Sequence, residues 1–191
     1  MRIKKIITVI AATTSITLSS WANESESSFY IKGSGIIGIS HDIELLKANY
    51  KGGSLLGGNA DLGFKISDNL SAEIGLDYIH SVVYRCPSKD TITIDFNNMV
   101  GFKVGMIYNY DFGNNLGLYT GLGGGNSWIS IKKSSVKNLK FKNCIFGSAD
   151  IGISYNFTES LSAIVGYNFK YYNYKQKIIT HSARIGFQYS F

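Results

Sequence analysis

Apolar and polar residues alternate along most of the chain, beginning near residue 29. In the segment from Phe29 to Ser40, one set of alternate positions is apolar or glycine, as at Ile31 and Ile37, and the other set includes Lys32 and Ser34. A period of two places the two sets on opposite faces of a β-strand. The pattern therefore predicts a strand with one apolar and one polar face.

The same alternation recurs in seven further segments, which predicts eight strands in all. These segments are 56–66, 70–78, 100–110, 116–123, 145–157, 161–171 and 182–191. Glycine, tyrosine and phenylalanine number 21, 13 and 11 beside a single proline, a composition typical of many strands joined by tight turns. No run in this part of the chain reaches the roughly 20 apolar residues of a membrane-spanning helix.

The connections between the predicted strands alternate in length. The short polar connections are 67–69, 111–115 and 158–160, and the long ones are about 41–54, 83–97, 128–143 and 172–178. Short turns at one membrane face and long loops at the other are typical of outer-membrane β-barrels. The connections therefore predict that all the long loops lie on one side of a membrane.

Charged residues of both signs lie on the polar faces, among glycines. They are the cations Lys32, Lys65, Lys103, Lys170 and Arg184 and the anions Asp61, Glu73, Asp77 and Asp150. Five cations and four anions nearly balance, as a closed interior requires, because an unpaired buried charge is costly. A soluble two-sheet sandwich is the alternative, but its polar faces would meet water and need no such balance. We therefore predict an all-β fold, an eight-stranded antiparallel transmembrane β-barrel with a plugged interior.

The first residues have the pattern of an export signal. Basic residues precede a short apolar stretch at 6–18, and small residues follow at Ser20 and Ala22. This order predicts a cleavable signal peptide at 1–22 and a barrel domain at 23–191. Three of the 19 basic residues belong to that signal, so the net charge of +6 does not indicate a nucleic-acid partner.

The C-terminal end carries alternating aromatic residues at Phe187, Tyr189 and Phe191. This tail resembles the assembly signal of outer-membrane barrels. Together with the segment at 29–33 and the repeated short turns, it makes the chain similar to the opacity-protein and OmpA-like family of eight-stranded surface antigens. The resemblance implies a bacterial outer-membrane location, insertion by the barrel-assembly machinery and contact with outer-membrane lipid and lipopolysaccharide. It also implies a role as a surface antigen or host-cell adhesin. We predict a non-enzymatic protein without a cofactor.

Histidines are the first candidates for catalysis. His80-Ser81 and His181-Ser182 superficially resemble the Ser/His pair of barrel lipid A deacylases, and His41 is the third histidine. Adjacent residues on a strand point to opposite faces, so neither pair can act as base and nucleophile without a bulge. We predict instead that the histidines lie at the outer rim, near the lipid headgroups.

Glu73 and Asp77 are the next candidates, since they lie four residues apart on one strand face. Paired carboxylates can do acid-base chemistry, but cations share the same interior, which favours a salt-bridged plug. An interior of this size is just filled by side chains, so a conducting pore is not expected. A lipid-modifying enzyme and a small porin-like channel are the alternative functions.

Cys86 and Cys144 fall in or beside two long connections on the same side of the membrane. Their spacing matches no metal motif, and no metal site is predicted. In an exported protein two such cysteines commonly form a disulfide. A bridge and two free thiols both stay open, because loop geometry cannot be read from sequence.

The third long connection, at about 128–143, is strongly basic and has no acidic residue. Its lysines are Lys132, Lys133, Lys137, Lys140 and Lys142. Such a run can be a solvated loop or a contact for the phosphates of lipopolysaccharide. The more specific hypothesis is a binding surface for sulfated host-cell glycans or other polyanions.

Overall fold

A computed structural model of the protein describes residues 29–41, 43–45, 48–50, 52–85, 93–133, 136–173 and 177–191. Side chains are described at 29–41, 52–80, 98–128, 143–173 and 177–191. The predicted signal peptide therefore lies outside the described residues. The strands are β1 (Phe29–Ser40), β2 (Ile43–Leu45), β3 (Ala48–Tyr50), β4 (Ser54–Lys65), β5 (Leu70–Arg85), β6 (Thr93–Gly113), β7 (Leu116–Lys133), β8 (Val136–Asn156), β9 (Leu161–Asn173) and β10 (Lys177–Ser190).

Eight of these strands form a closed barrel in the order β1-β10-β9-β8-β7-β6-β5-β4. Every neighbouring pair is antiparallel, and the barrel closes where Tyr30 of β1 pairs with Ser190 of β10. The backbone N–H of Phe191 donates to the carbonyl oxygen of Phe29 at 3.0 Å, so both ends of the barrel chain lie beside the short turns. This confirms the predicted eight-stranded antiparallel barrel. We call the end with the short turns the periplasmic end, following the general pattern of such barrels.

The outward face of the barrel is apolar. Ile37, Leu122 and Ile185 point away from the interior and are 62 %, 73 % and 64 % exposed. In water such a surface would be unfavourable at about 25 cal/mol per Å², whereas in a bilayer it faces lipid tails. None of the described residues forms a helix long and apolar enough to cross a membrane.

The strands differ greatly in length. Two of the predicted long loops are therefore wrong in part, because long strands occupy much of them. β6 and β8 have 21 residues each, whereas β1 and β4 have 12. A tilted strand crosses a bilayer with about 9 to 11 residues, so β5 to β8 extend past the membrane on the side opposite the short turns. Residues predicted as loops at 83–97 and 128–143 thus belong largely to paired strands. They were predicted as loops because the strict alternation of apolar and polar residues is not recognisable in these parts of the sequence.

The first long connection also contains structure that the alternation did not predict. β2 and β3 pair with each other as a separate two-stranded sheet, in which Ile43 is opposite Tyr50. Three-residue strands are too short to show a period of two, so the sequence pattern could not identify them.

The β6–β7 turn shows how the short periplasmic connections are made. Gly113, Asn114 and Asn115 have φ angles of 77°, 54° and 67°, in the left-handed region that glycine and asparagine tolerate best. A side-chain oxygen of Asp111 accepts a hydrogen bond from the N–H of Gly113 at 2.8 Å. The polar residues of this turn are therefore selected by backbone geometry.

Candidate functional site

The barrel interior holds a balanced set of buried charges. Among the residues with described side chains, its cations are Lys32, Lys103, Lys170 and Arg184 and its anions are Asp61, Glu73, Asp77 and Asp150. Lys65 was predicted to belong to this set, but it is exposed at the periplasmic end of β4. Lys65 shares the alternate positions of the inward face of β4, but it lies beyond the end of the packed interior. The described part of the interior therefore contains four cations and four anions, and it is neutral when all of them are ionised.

Asp61 is the centre of this network. Its carboxylate lies 3.1 Å from Lys103 Nζ, 3.2 Å from Arg184 Nη2 and 3.6 Å from Lys32 Nζ. The carboxylate occupies space that the facing residue, Gly75 of β5, leaves open. A Cβ atom at Gly75 would lie 1.9 Å from Asp61 Oδ1. A glycine on one strand thus makes room for the charge on the next.

Glu73 sits beside this centre and is held from three sides. It forms ion pairs with Lys32 and, at 3.8 Å, with Lys103. The hydroxyl of Tyr30 donates to Glu73 Oε1 at 2.8 Å. The ring of Tyr30 lies over Gly63, where a Cβ would come within 2.0 Å of it. Glu73 is therefore held in place by β1 and β6 and is not available as a free carboxylate.

The remaining two anions are paired with other strands. Asp77 forms an ion pair with Lys170 at 2.7 Å. Asp150 pairs with Arg184 and accepts a hydrogen bond from Asn168 Nδ2 at 2.8 Å. Glu73 and Asp77 consequently have different cationic partners. This arrangement agrees with the predicted salt-bridged plug, in which each carboxylate is neutralised by a neighbouring cation.

Apolar layers lie on both sides of the charges. Ile107, Tyr119 and Ile164 form a buried cluster on the periplasmic side. On the other side Phe146 packs on Tyr172, with ring centroids 5.4 Å apart, and Lys170 Nζ lies 5.4 Å from the centroid of the Phe146 ring. In the part of the barrel whose side chains are described, apolar residues therefore flank the charged layer on both sides, while Lys32 and Glu73 still face a cavity toward the periplasmic end.

The apolar layer toward the long connections was missed by the sequence analysis. Its inward residues are Ile36, Leu55, Ile79, Met99, Phe146, Tyr172 and Ile178. The sequence pattern did contain this information. When the alternate positions of the polar faces of β1, β5, β8 and β9 are continued, they include Ile36, Ile79, Phe146 and Tyr172. These residues were not singled out, because the polar face was interpreted as polar throughout.

A cavity of about 240 Å³ opens at the periplasmic end. Its lining includes Tyr30, Lys65, Tyr119 and Ser190, and an acidic residue from each of the three short turns. These acids are Asp68, Asp111 and Glu159. None of the apolar residues toward the long connections belongs to the lining, so this cavity does not extend through the barrel.

His181 and Ser182 lie on opposite faces of β10, as predicted. Ser182 is buried inside, whereas His181 lies on the outward face and its imidazole faces His41, with the two Nε2 atoms 2.7 Å apart. At His80 the outcome differs, because the pairing of β5 with β4 shifts by one residue there. This is the irregularity that a His80-Ser81 pair would need, and the side chain of Ser81 lies outside those described.

The five lysines of the predicted binding loop lie on the β7–β8 hairpin. Lys132 and Lys133 end β7, and Lys137, Lys140 and Lys142 lie in the first part of β8. The backbone pairs Lys133 with Val136 and Ile129 with Lys142, with irregularities between them. We call residues 129–133 and 136–142 the basic hairpin. The five residues are therefore gathered on one extended hairpin, although their side chains lie outside those described.

Cys144 does not lie in a surface loop. It is on the inward face of β8, 4 % exposed, and is a free thiol in the structure. Its predicted partner, Cys86, lies outside the described residues, so the predicted bridge is not tested. A position inside the barrel wall is nevertheless less accessible to a partner than a position in or beside a loop, as the sequence predicted.

The C-terminal aromatic residues face the lipid at the periplasmic end. Phe187, Tyr189 and Phe191 are exposed on the outward face, and the rings of Tyr189 and Phe191 are 5.1 Å apart. Similar pairs lie at two of the short turns, namely Tyr110 with Phe112 and Tyr155 with Phe157. Together they form the belt of aromatic residues that membrane barrels place at the interface.

Comparisons with known proteins agree with this geometry. The family described as "Outer membrane protein beta-barrel domain" matches residues 8–191. The crystal structure of Neisserial surface protein A is similar at 16 % identity and a TM-score of 0.64, covering 88 % of this chain and 100 % of that one. No curated protein sequence matches the chain.

Two further crystal structures share the architecture. The outer membrane protein OprG from Pseudomonas aeruginosa has 14 % identity and a TM-score of 0.54, with 87 % of this chain and 97 % of that one covered. A major outer membrane protein from Thermus thermophilus has 10 % identity and a TM-score of 0.54, with 84 % and 99 % covered. At such identities the likeness concerns the fold alone.

Proposed function

We propose, from the premise that the chain belongs to the outer membrane protein β-barrel domain family, that it is a non-enzymatic surface protein whose basic hairpin binds polyanions. The family and its structural neighbours indicate the bacterial outer membrane as the location. The observation that carries the proposal is the extension of β7 and β8 past the membrane, because it places five lysines on one hairpin.

The barrel wall offers little room for a partner. Its outward face meets lipid, and its inward face is occupied by the ion pairs around Asp61 and by the apolar layers on either side. Residues that lie outside the membrane are free of both constraints and can contact a partner without a folding penalty. Binding is therefore expected in the part of β5 to β8 that extends from the barrel.

The basic hairpin has the charge that a polyanion requires. Its backbone is paired, so its lysines are carried on an ordered support and not on a flexible loop. In register, Lys132 is opposite Asp95 of β6, which leaves a net positive charge on the hairpin and its neighbour. Such a field attracts sulfate or phosphate groups and is screened by salt over about 8 Å at physiological ionic strength.

The test compares the wild-type protein with a variant in which all five lysines of the basic hairpin are changed to Gln. Both are refolded in detergent free of lipopolysaccharide and applied to a heparin column. We expect the wild type to elute at clearly higher salt than the variant. Lys65→Gln, at the exposed periplasmic end of β4, is the matched control and should elute with the wild type.

Two outcomes decide the proposal and its ligand. Equal elution of the five-lysine variant and the wild type would show that the lysines are only a solvated surface. If heparin binding is weak but a lipopolysaccharide-coated surface retains the wild type and not the variant, the polyanion is the lipid phosphate, and the hypothesis of a sulfated host-cell glycan is wrong. In both arms a heat-modifiability gel verifies that the barrel is folded.

The lipid-modifying alternative has one local feature in its favour, the register shift at His80. If His80 and Ser81 formed a catalytic pair, His80→Ala would abolish a change in lipid A acylation that the wild type produces. We expect the lipid A mass spectrum of an expressing strain to be the same with the wild type, with His80→Ala and with an empty vector. A difference between the wild type and the vector that His80→Ala removes would contradict the non-enzymatic proposal.

A further inference from the structure

Two histidines from different strands meet on the outer surface of the barrel. His41 directly follows β1, and His181 lies on the outward face of β10. Their Nε2 atoms are 2.7 Å apart and their ring centroids 4.7 Å apart. The backbone N–H of His41 donates to the carbonyl oxygen of Ile179 at 2.9 Å, which fixes the chain at this point. The pair lies at the end of the barrel opposite the short turns.

The contact constrains the protons of both rings. Two neutral imidazoles can stand this close only if one Nε2 carries a hydrogen and the other offers its lone pair. The Nδ1 atom of His181 is in contact with the hydroxyl of Tyr167. When Nδ1–H of His181 donates to the Tyr167 oxygen, Nε2 of His181 is left with a lone pair aimed at His41.

This arrangement is the one that metal-binding histidines use. A ligating imidazole commonly donates its second N–H to an oxygen, which fixes the tautomer and orients the ring. If His41 also takes the Nδ1–H tautomer, both Nε2 lone pairs converge on one point. This change is only a tautomer exchange, in which Nε2 of His41 releases its hydrogen to solvent and Nδ1 takes one up.

We propose that His41 and His181 form a two-histidine site for a divalent transition metal of borderline softness, such as Cu²⁺ or Zn²⁺. Imidazole nitrogen suits these ions, and Cu²⁺ binds such ligands more tightly than Zn²⁺. Two nitrogens around a tetrahedral ion at about 2.0 to 2.1 Å stand about 3.3 Å apart, so the rings must separate slightly. His41 is exposed and at a strand end, where a small rotation of its side chain is permitted.

The surroundings agree with an open surface site. Phe169 and Tyr167 pack on His181 at 5.3 Å and 5.9 Å between ring centroids, and hold the ring against the barrel. Among the residues described, no group of three or more metal-ligating side chains is present. Among the described residues, two imidazoles are therefore the ligands that this site offers, and water can fill further positions.

The experiment titrates Cu²⁺, and separately Zn²⁺, into the refolded barrel by isothermal titration calorimetry. The wild type should bind one metal ion saturably, and the electron paramagnetic resonance spectrum of Cu²⁺ should show coupling to two imidazole nitrogens. His41→Ala and His181→Ala should each weaken the binding at least about tenfold. His80→Ala is the matched control and should bind as the wild type does, because His80 contacts Tyr78 and no second histidine among the described side chains.

Tyr167 provides an independent test of the geometry. Tyr167→Phe removes the oxygen at Nδ1 of His181 but no ligand, and should weaken the metal about tenfold or more. The proposal is overturned if the wild type shows no saturable binding, in which case the histidines share only a hydrogen bond. It is also overturned if His80→Ala weakens the metal as much as His41→Ala does. A heat-modifiability gel on each variant separates lost binding from lost folding.

Discussion

The buried Asp61 carboxylate is the residue on which the charged layer depends. Three cations from three strands lie within 3.6 Å of it, and its side chain is fully enclosed. A buried charge that loses its partner costs more than an ordinary hydrogen bond, because it is cut off from water. Each cation around Asp61 therefore depends on this single acid for part of its stabilisation.

Asp61→Asn should accordingly destabilise the folded barrel. The change keeps the size of the side chain but leaves Lys103 and Arg184 with less compensating charge, and loss of one partner of a buried pair costs about 3 to 5 kcal/mol. The measurement is urea-induced unfolding in lipid vesicles, followed by tryptophan fluorescence. Asp68→Asn, in an exposed turn, is the control and should change the midpoint little. Equal midpoints for both variants would mean that Asp61 does not hold the network.

Gly75→Ala tests the same network from the opposite strand. An added Cβ would meet Asp61 Oδ1 at 1.9 Å, and ion pairs prevent this oxygen from moving freely. We expect a loss of about 1 to 3 kcal/mol in the free energy of unfolding, as for other overpacked interiors. Gly33→Ala is the matched control, since a Cβ there meets no atom within 4 Å. Equal destabilisation by the two variants would show that the effect comes from glycine itself and not from Asp61.

At the scale of elements, the alternation predicted all eight barrel strands, because the lipid outside and the packed interior impose opposite polarity on neighbouring residues. The prediction failed at positions that lie beyond the lipid or beyond the packed interior. β7 and β8 continue past the lipid, so their pairing there could not be recognised from an apolar face. Lys65 keeps the parity of the interior but lies past its end.

The partners of the interior charges could not be derived from the sequence at all. Lys32 and Glu73 are 41 residues apart, and Lys170 and Asp77 are 93 apart. Which side chains meet across a barrel depends on the stagger of its strands, and a shift of one residue in register would exchange the faces. The sequence could therefore supply the balance of charge but not the pairs.

The inward direction of β8 gives a prediction for Cys144. Because its thiol lies inside the barrel wall, a maleimide should not label it in a folded Cys86→Ser variant. After unfolding without reductant, the same variant should be labelled once. Labelling of the folded variant would contradict the inward position. Two labelled thiols in the unfolded, unreduced wild type would in addition exclude the bridge between Cys86 and Cys144.

At the scale of the whole molecule, the charges are arranged in three zones along the barrel axis. Acids from the three short turns line the periplasmic mouth, and these are Asp68, Asp111 and Glu159. Among the described side chains, the middle is neutral, with four cations matched to four anions. The opposite side carries the basic hairpin. This separation allows the outer surface to attract anions without placing an uncompensated charge within the membrane.

The same three zones determine whether ions can pass. In the part with described side chains, the periplasmic cavity of about 240 Å³ passes Ile107, Tyr119 and Ile164 and ends at the charged layer, where Lys32 and Glu73 line it. The ion pairs of Asp61 and the rings of Phe146 and Tyr172 follow above it. An ion would have to displace both an apolar layer and a set of paired charges. An eight-stranded barrel has no spare interior width for such a path.

We therefore expect the wild-type protein to produce no reproducible open step in a planar bilayer. A 16-stranded porin added to the same bilayer provides the positive control, because its interior is water-filled. Phe146→Ala combined with Tyr172→Ala tests the cause, since this change removes the upper rings but leaves the ion pairs of Asp61 in place. The double variant should also stay closed, because the charged layer suffices to block ions. Regular conductance steps in the wild type would contradict the plugged interior and support the porin-like alternative. Steps in the double variant alone would show that the upper rings, and not the charged layer, close the barrel.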